Sequence, residues 1–489
     1  MFFSCSFAGT FSKLAERIPQ GNLLFDGGII VAKTAWEKYD EQELVQVERT
    51  AKQYRAFLDA GKTERECVHE AVRMATEAGF VNLQDVLDGT VPMQAKVYAV
   101  MMDKSIALFH LGTAPLEDGM QIVAAHVDSP RLDLKQHPLY EESGMAYLDT
   151  HYYGGIKKYQ WVTLPLAIHG VVIRKDGTKL DLVIGEREDD PVIGVTDLLV
   201  HLAGEQLEKS GSKVVEGEAL DLLVGNKPLH GEEKDAVKAQ ILKVLQDQYG
   251  MEEDDFISAE LEVVPAGKAR DYGLDRSMVM AYGHDDRVCA FAGLSALLRT
   301  EAPERSVCCL LVDKEEIGSV GATGMKSRFF ENTVAELLEL TGAYSELKLR
   351  RCLSRSRMLS TDVSSAFDPG YAHAFDRRNV AYVGGGMVMK KFTGARGKSG
   401  ANDANAEYIG ALRHVMDRAN VTWQTAELGK VDYGGGGTIS YIAARYGMEV
   451  IDCGVPVLNM HAPWEIISKA DLYEAEKGYH AFLQMKKEL

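Results

Sequence analysis

The sequence predicts an α/β fold, a layer sandwich on a largely parallel sheet with a second domain inserted into it. Two observations predict this. From Met278 onward, apolar runs of strand length alternate with helical patterns, as they do where helices cover parallel strands. Between residue 131 and about residue 270 the texture changes to short strand-like runs broken by charges and turn residues. The predicted boundaries are therefore a discontinuous domain, 1–130 and 275–489, and an insert, 131–274.

Taken in order, residues 40–78 are rich in helix formers, with Val45, Val47, Tyr54, Phe57 and Leu58 at helical spacing. Residues 97–102 and 106–111 read as short strands, and 121–125 as a compact apolar strand ending at His126. Within the insert, 160–173 and 180–184 are strand-like. Residues 232–249 form an amphipathic helix with Val237, Ile241, Leu242, Val244 and Leu245 on one face. The acidic clusters 186–190 and 252–255 read as solvated loops. Beyond the insert, strands are expected at 278–282, 307–312, 380–383, 450–453 and 455–460. Helices are expected at 288–298, 331–340 and 404–418, and a last one, opened by a capping box of Ser468 and Asp471, runs to about Lys487. There is no internal repeat, low-complexity segment or long linker.

The formal net charge of −18 argues against nucleic acid or an anionic membrane as main partner, since both require basic surface. Cys5, Cys67, Cys289, Cys308, Cys309, Cys352 and Cys453 show no CxxC spacing and several sit in apolar runs, so they read as reduced core residues. The N-terminus, Met1-Phe2-Phe3-Ser4-Cys5-Ser6-Phe7, lacks the basic start and longer apolar core of a signal peptide. No run approaches a membrane span. The expectation is a cytoplasmic protein.

The chemistry collects where apolar runs end. His126 and Asp128 follow one; His284, Asp285 and Asp286 follow a second; Glu315 and Glu316 a third; Asp362 a fourth; His461 a fifth. The carboxyl ends of strands in an α/β sheet are where ligands bind. Each ending alone has a bland explanation: a hydrogen-bonded histidine, a helix N-cap at Asp285-Asp286, a solvated acidic turn at Glu315-Glu316. Together they bring two histidines and several carboxylates into one cleft, a donor set suited to divalent metals. Crowding that many carboxylates without cations costs several kcal/mol per close pair. The residues therefore predict a dinuclear metallohydrolase. In it His126 binds one ion, Asp128 orients the His126 ring, and Asp285 or Asp286 bridges both ions. Glu316 and His461 complete one metal and Asp362 the other. Glu315 stays unligated as general base and acid. Strand alternation would send Glu315 and Glu316 to different tasks.

In their order these motifs resemble those of the aspartyl aminopeptidase and vacuolar aminopeptidase I family of dinuclear zinc exopeptidases. His126-Val127-Asp128-Ser129-Pro130-Arg131-Leu132 is similar to the family's HTDSPxL, Tyr153-Gly154-Gly155 to its YGG, and Asp313-Lys314-Glu315-Glu316-Ile317-Gly318-Ser319 to its DNEEVGS. Ser360-Thr361-Asp362 is similar to its SxD, Met460-His461-Ala462-Pro463-Trp464-Glu465 to its MHSxxE, and residues 434–438 to its Gly-Thr loop. The resemblance implies a three-layer α/β/α catalytic domain with a β-rich dimerisation domain inserted, and peptides as substrates. It implies two ions per subunit, zinc first, with cobalt or manganese as alternatives. His126, Asp285 and Asp362 would serve one, Asp285, Glu316 and His461 the other, with Glu315 as catalytic base. It implies dimers that build a tetrahedral twelve-subunit particle, in which one histidine of the insert reaches a neighbour's active site. His201, in Asp197-Leu198-Leu199-Val200-His201-Leu202, matches that segment; His169 resembles it but falls one strand early. The chain departs from the family in Val363-Ser364-Ser365 after Asp362 and in His284-Asp285-Asp286-Arg287, as a diverged bacterial-type branch would.

Acid-selective members carry a basic residue in the specificity pocket, and the segment 390–398 is basic and broken by glycines. Lys390 or Lys391 would meet a substrate carboxylate there; a surface loop is the competing reading, and a leucine or broad specificity the competing preference. The run Gly434-Gly435-Gly436-Gly437 lacks the Lys-Ser/Thr of a phosphate loop, and Gly318-Ser319-Val320-Gly321 is no nucleophile elbow. An inactive, self-assembling scaffold on the same fold is the alternative from another class. It should have lost a ligand or the base, and this sequence has lost none.

Overall fold

The computed structural model describes residues 34–486 and two short strands before them, Leu23–Asp26 and Ile29–Ala32. The N-terminal reading of Met1 to Phe7, with Cys5, lies outside the described residues. Among the described residues no helix is long and apolar enough to cross a membrane, and the six described cysteines are free and buried.

A nine-stranded mixed sheet forms the centre. Its middle strand, Gln121–His126, has parallel neighbours on both sides, Val307–Val312 and Arg357–Ser360. Every residue of Gln121–His126 and of Val307–Val312 is buried, as expected for parallel strands covered on both faces. Alternation along the strand divides the core. Val123, Ala125, Cys309 and Leu311 pack with the helices Glu41–Ala60, Glu64–Glu77, His284–Leu298 and Lys469–Leu483. Ile122, Ala124, Cys308 and Leu310 pack with Phe329–Leu340 and Glu346–Arg355 on the other face. The result is helices, sheet and helices in three layers.

Several expectations are corrected. The region 40–78 is helical as expected and divides into two helices, because Gly61 and the N-cap Thr63, which accepts from Glu66 N, end one and start the next. Residues 380–383 are not a strand; the strand is Met387–Lys390, and Ala381 makes only an isolated bridge to Ala366. The insert's helix begins at Ala236, where the Glu141 carboxylate accepts from Val237 N and Lys238 N. Ser468 caps the last helix through Ala470 N, but Asp471 does not complete a box. It turns away to accept from Gly384 N and Gly386 N and so holds the loop leading to Met387–Lys390.

Two of the five chemistry-bearing strand ends do not belong to the main sheet. Met278–Ala281 and Pro456–Leu458 lie in a separate five-stranded sheet, joined through the antiparallel strand Glu465–Ser468. This small sheet brings the Asp285 and His461 segments against the carboxyl ends of the main strands.

Residues of 131–265 alone build a seven-stranded antiparallel sheet, whose strand Arg131–Glu142 starts directly after the His126–Pro130 segment. It has its own apolar core, with Trp161, Leu166, Val172, Leu220, Leu222 and Val263 buried.

Candidate metal centre

His126 ends the central strand, and its buried ring is fixed from below. Its Nδ1 donates to the Asp128 carbonyl at 2.9 Å, which leaves Nε2 free and directed at Asp285 Oδ1, 3.2 Å away. His461 mirrors it: Nδ1 donates to the Gly155 carbonyl at 2.8 Å, and Nε2 faces Asp285 Oδ2 at 3.2 Å and Glu316 Oε1 at 3.5 Å. Asp285 thus presents one oxygen to each histidine. Two groups of donor atoms close to within 4.8 Å of one another: His126, Asp285 and Asp362, and Asp285, Glu316 and His461. A third combination, His126 with Glu315 and Glu316, also closes. Asp286 is buried beside Asp285 but belongs to none of the three.

Asp128 ties the segments together. Its fully buried carboxylate accepts from Glu315 N and Glu316 N, each at 3.1 Å, and from the Tyr153 hydroxyl at 2.8 Å. The same side chain, with Oδ1 3.3 Å from His126 Nδ1, helps orient that ring and fixes the backbone of both glutamates. That backbone is not extended. Lys314 is left-handed (φ 67°) and Glu315–Ile317 is a single 3-10 turn, so turn geometry, rather than strand alternation, separates the two glutamate side chains. Asp285 and Asp286 likewise have non-helical backbone inside the first turn of their helix and are not its N-cap, which is Gly283.

Glu465 was part of a motif but had no role assigned from sequence. It is buried, and its two oxygens accept from His461 N at 2.7 Å and Asp285 N at 3.0 Å. Tyr153 and Gly155 act in the same supporting way. Apart from the contact of Glu465 with His461, four residues away, these contacts join residues far apart in the chain, and no local pattern signals them.

The electrostatics fit bound cations. Burial, opposed by His126 and reinforced by Asp362, Asp128 and Asp285, pushes Glu315 up to about 8. Burial and the Asp285 charge push Glu316 well above the carboxylate range. Burial raises Asp362 to about 6, against the pull of Lys390. Burial disfavours charge on His461, but Asp285 and Glu316 raise it to about 10. Protons here offset charges that cations would otherwise offset. Glu316 Oε1 is buried with no hydrogen-bond partner, an uncompensated oxygen that a cation would satisfy. Nitrogen and carboxylate donors of this kind suit zinc.

A profile of the family described as Aminopeptidase I zinc metalloprotease (M18) matches residues 57–483. The chain is 58% identical over 454 residues to the probable M18 family aminopeptidase 1 of Clostridium acetobutylicum, covering 92% of this chain and 98% of that protein. The chain belongs to the M18 family. It is an enzyme of the zinc metalloprotease class, an exopeptidase acting as an aminopeptidase. Among solved M18 structures, the aminopeptidase I of C. acetobutylicum superposes with a TM-score of 0.87 at 57% identity, over 93% of this chain and 99% of that one. The M18 aminopeptidase of Thermotoga maritima does so at 0.89 and 44%, over 92% and 99%. The mApe1 dodecamer of S. cerevisiae shares the fold at 0.70 and 19%, over 88% and 95%.

The M18 cleft has a volume of about 440 Å³. Asp285, Glu315, Glu316, Asp362 and His461 meet at its floor, and Gly435, Gly436, Gly437 and Thr438 form one wall. A Cβ on Gly435 would lie 2.0 Å from the Gly394 carbonyl oxygen, so the glycine run serves close backbone packing. Lys390 lines the cleft, buried, with Nζ donating to the carbonyls of Asp362 and Val363 at 3.2 and 2.9 Å. Lys391 is exposed and is not among the lining residues. His201 is exposed on the turn Val200–Leu202, and the single chain does not bring it to the cleft. His169 is neither exposed nor at a strand end. It is buried between Glu66 and Glu186, at 2.8 and 3.2 Å.

Proposed function

We propose that this chain removes the N-terminal residue of peptides with two metal ions and with Glu315 as general base and acid. The observation that carries the proposal is Asp285, whose two oxygens each face a histidine at 3.2 Å. In this reading His126, Asp285 and Asp362 hold one ion, and Asp285, Glu316 and His461 the other. Zinc is the expected metal, and cobalt or manganese would also suit the donor set.

When bound, two such ions would supply Lewis-acid polarisation of the scissile carbonyl and would lower the pKa of the attacking water. The chain's own groups do the rest. Glu315 would take the proton from that water and return it to the leaving amine. Asp128 keeps the His126 ring turned with Nε2 inward, and Glu465 holds the Asp285 and His461 backbones.

Lys390 has a third N–H beyond its two carbonyl partners, and in this reading it meets the carboxylate of an N-terminal Asp or Glu. Lys391, exposed, has the weaker claim. Val363, Leu428, Tyr441 and Met460 in the same cleft favour the second reading, leucine or broad preference.

The proposal extends to assembly. Residues 131–274 act as a dimerisation domain, and Leu198, Leu199, Val200, Leu202 and Leu207, 49 to 70% exposed around His201, are covered by another copy. His201 then reaches a neighbour's cleft within a tetrahedral particle of twelve subunits, located in the cytoplasm. The test is hydrolysis of amino-acid p-nitroanilides after chelation and after metal add-back, with light scattering on the same sample. Activity should vanish and return, at a mass well above one chain. Activity indifferent to chelators contradicts the metal reading, and a monomer contradicts the assembly.

A further inference from the structure

The cleft wall made by Gly318, Ser319 and Tyr441 borders a second concavity of about 650 Å³. It is lined by five cations, Lys326, Arg328, Arg350, Arg351 and Arg445, against a single carboxylate, Glu331. In a chain of formal net charge −18 this is a local reversal of sign. Arg351 is paired with Glu117 at 2.9 Å, and Arg350 with Glu346. Arg328 and Arg445 are exposed and make no ion pair among the described residues, although both, like Glu331, act on the charge of Tyr446.

Two features connect the groove to the metal centre. Lys326 Nζ donates to the Gly318 carbonyl at 2.9 Å and lies 5.7 Å from the centre of the Tyr441 ring, and Gly318 and Tyr441 both line the cleft. Arg445 directly follows the helix Ser440–Ala444, which carries Tyr441, so it sits about 6 Å further along that axis. An enzyme that removes an N-terminal residue holds that residue at the reacting centre, and the remainder of the peptide must leave along a wall. An extended peptide covers about 3.3 Å per residue, so about two residues span the step from Tyr441 at the cleft to Arg445 in the groove. Unpaired guanidinium groups in a concavity attract and fork onto carboxylates.

We propose that this groove receives the continuation of the peptide substrate and selects acidic residues in it, with Arg328 and Arg445 as the selecting groups. The inference rests on the aminopeptidase reading and adds a preference on the far side of the scissile bond, independent of the residue removed.

The test uses metal-loaded protein and hexapeptides that share one N-terminal dipeptide and end in four Glu, four Gln or four Lys. The wild type should cleave the Glu-tailed peptide with kcat/KM roughly tenfold above the Gln-tailed one, mostly through KM, and added salt should erode the difference. In Arg328→Glu/Arg445→Glu the order should collapse or invert towards the Lys tail. Both side chains are exposed, so the variant should melt with the wild type; the milder Arg328→Gln/Arg445→Gln should give an intermediate ratio. Equal cleavage of all three tails by the wild type, or an unchanged order in the variant, overturns the groove but leaves the aminopeptidase standing. A wild type that cleaves neither the peptides nor an amino-acid p-nitroanilide overturns the aminopeptidase reading and the groove with it.

Discussion

Asp128 holds three things at once: the His126 ring and the backbone N–H groups of Glu315 and Glu316. Removing its carboxylate should disturb both metal groups without touching a ligand. Asp128→Ala is expected to lower metal affinity and kcat/KM by about 10–100-fold, read by metal titration and p-nitroanilide kinetics. Tyr153→Phe, which deletes one of the hydrogen bonds to Asp128, should give a smaller loss in the same direction. Many of these residues are legible in the sequence, because a His or carboxylate at the end of an apolar run is a local pattern. The supporting acceptors are not legible. Glu465 meets Asp285 across 180 positions of chain, and only folding makes that contact.

At the scale of elements, the site depends on how closely strands approach. A Cβ on Gly454 would lie 1.8 Å from the Asp362 carbonyl oxygen, so the strand Glu449–Gly454 and the Asp362 segment pack backbone to backbone. Gly454→Ala must push Asp362 aside. It should cost at least about 2 kcal/mol of stability, seen in denaturant unfolding, and should also weaken metal binding. The central strands Gln121–His126 and Val307–Val312 are readable because they are mostly apolar and buried on both faces. Local sequence does not separate Met387–Lys390 from 380–383, because both are short and apolar and the choice is made by Asp471, which pins Gly384 and Gly386 from another layer. The small sheet carrying Asp285 and His461 is not legible either: pairing between residues near 280 and near 466 leaves no trace in either stretch.

For the whole molecule, the acids of the site make stability depend on pH. Folded Glu315 and Glu465 are each raised to about 8, by burial first, and Asp362 to about 6. A carboxyl raised in the folded state stabilises the fold fully below its unfolded value, and that contribution is lost as pH rises through the folded value. Metal-free protein should therefore lose thermal stability between about pH 4.5 and 8. Bound cations cancel the repulsion, so chelation should lower Tm more at pH 8 than at pH 6, as differential scanning calorimetry would record. An equal drop at both values would mean that these acids do not share a site with the metal.

The central claim is the division of labour between Glu315 and Glu316: one moves protons, the other holds metal. Metal content per chain and turnover, measured together on the wild type and on Glu315→Gln, test it most directly. The account predicts two ions per chain in both proteins and a loss of roughly 10²–10⁴ in kcat in the variant. A variant that loses an ion, or one that keeps both ions and turns over normally, would contradict it.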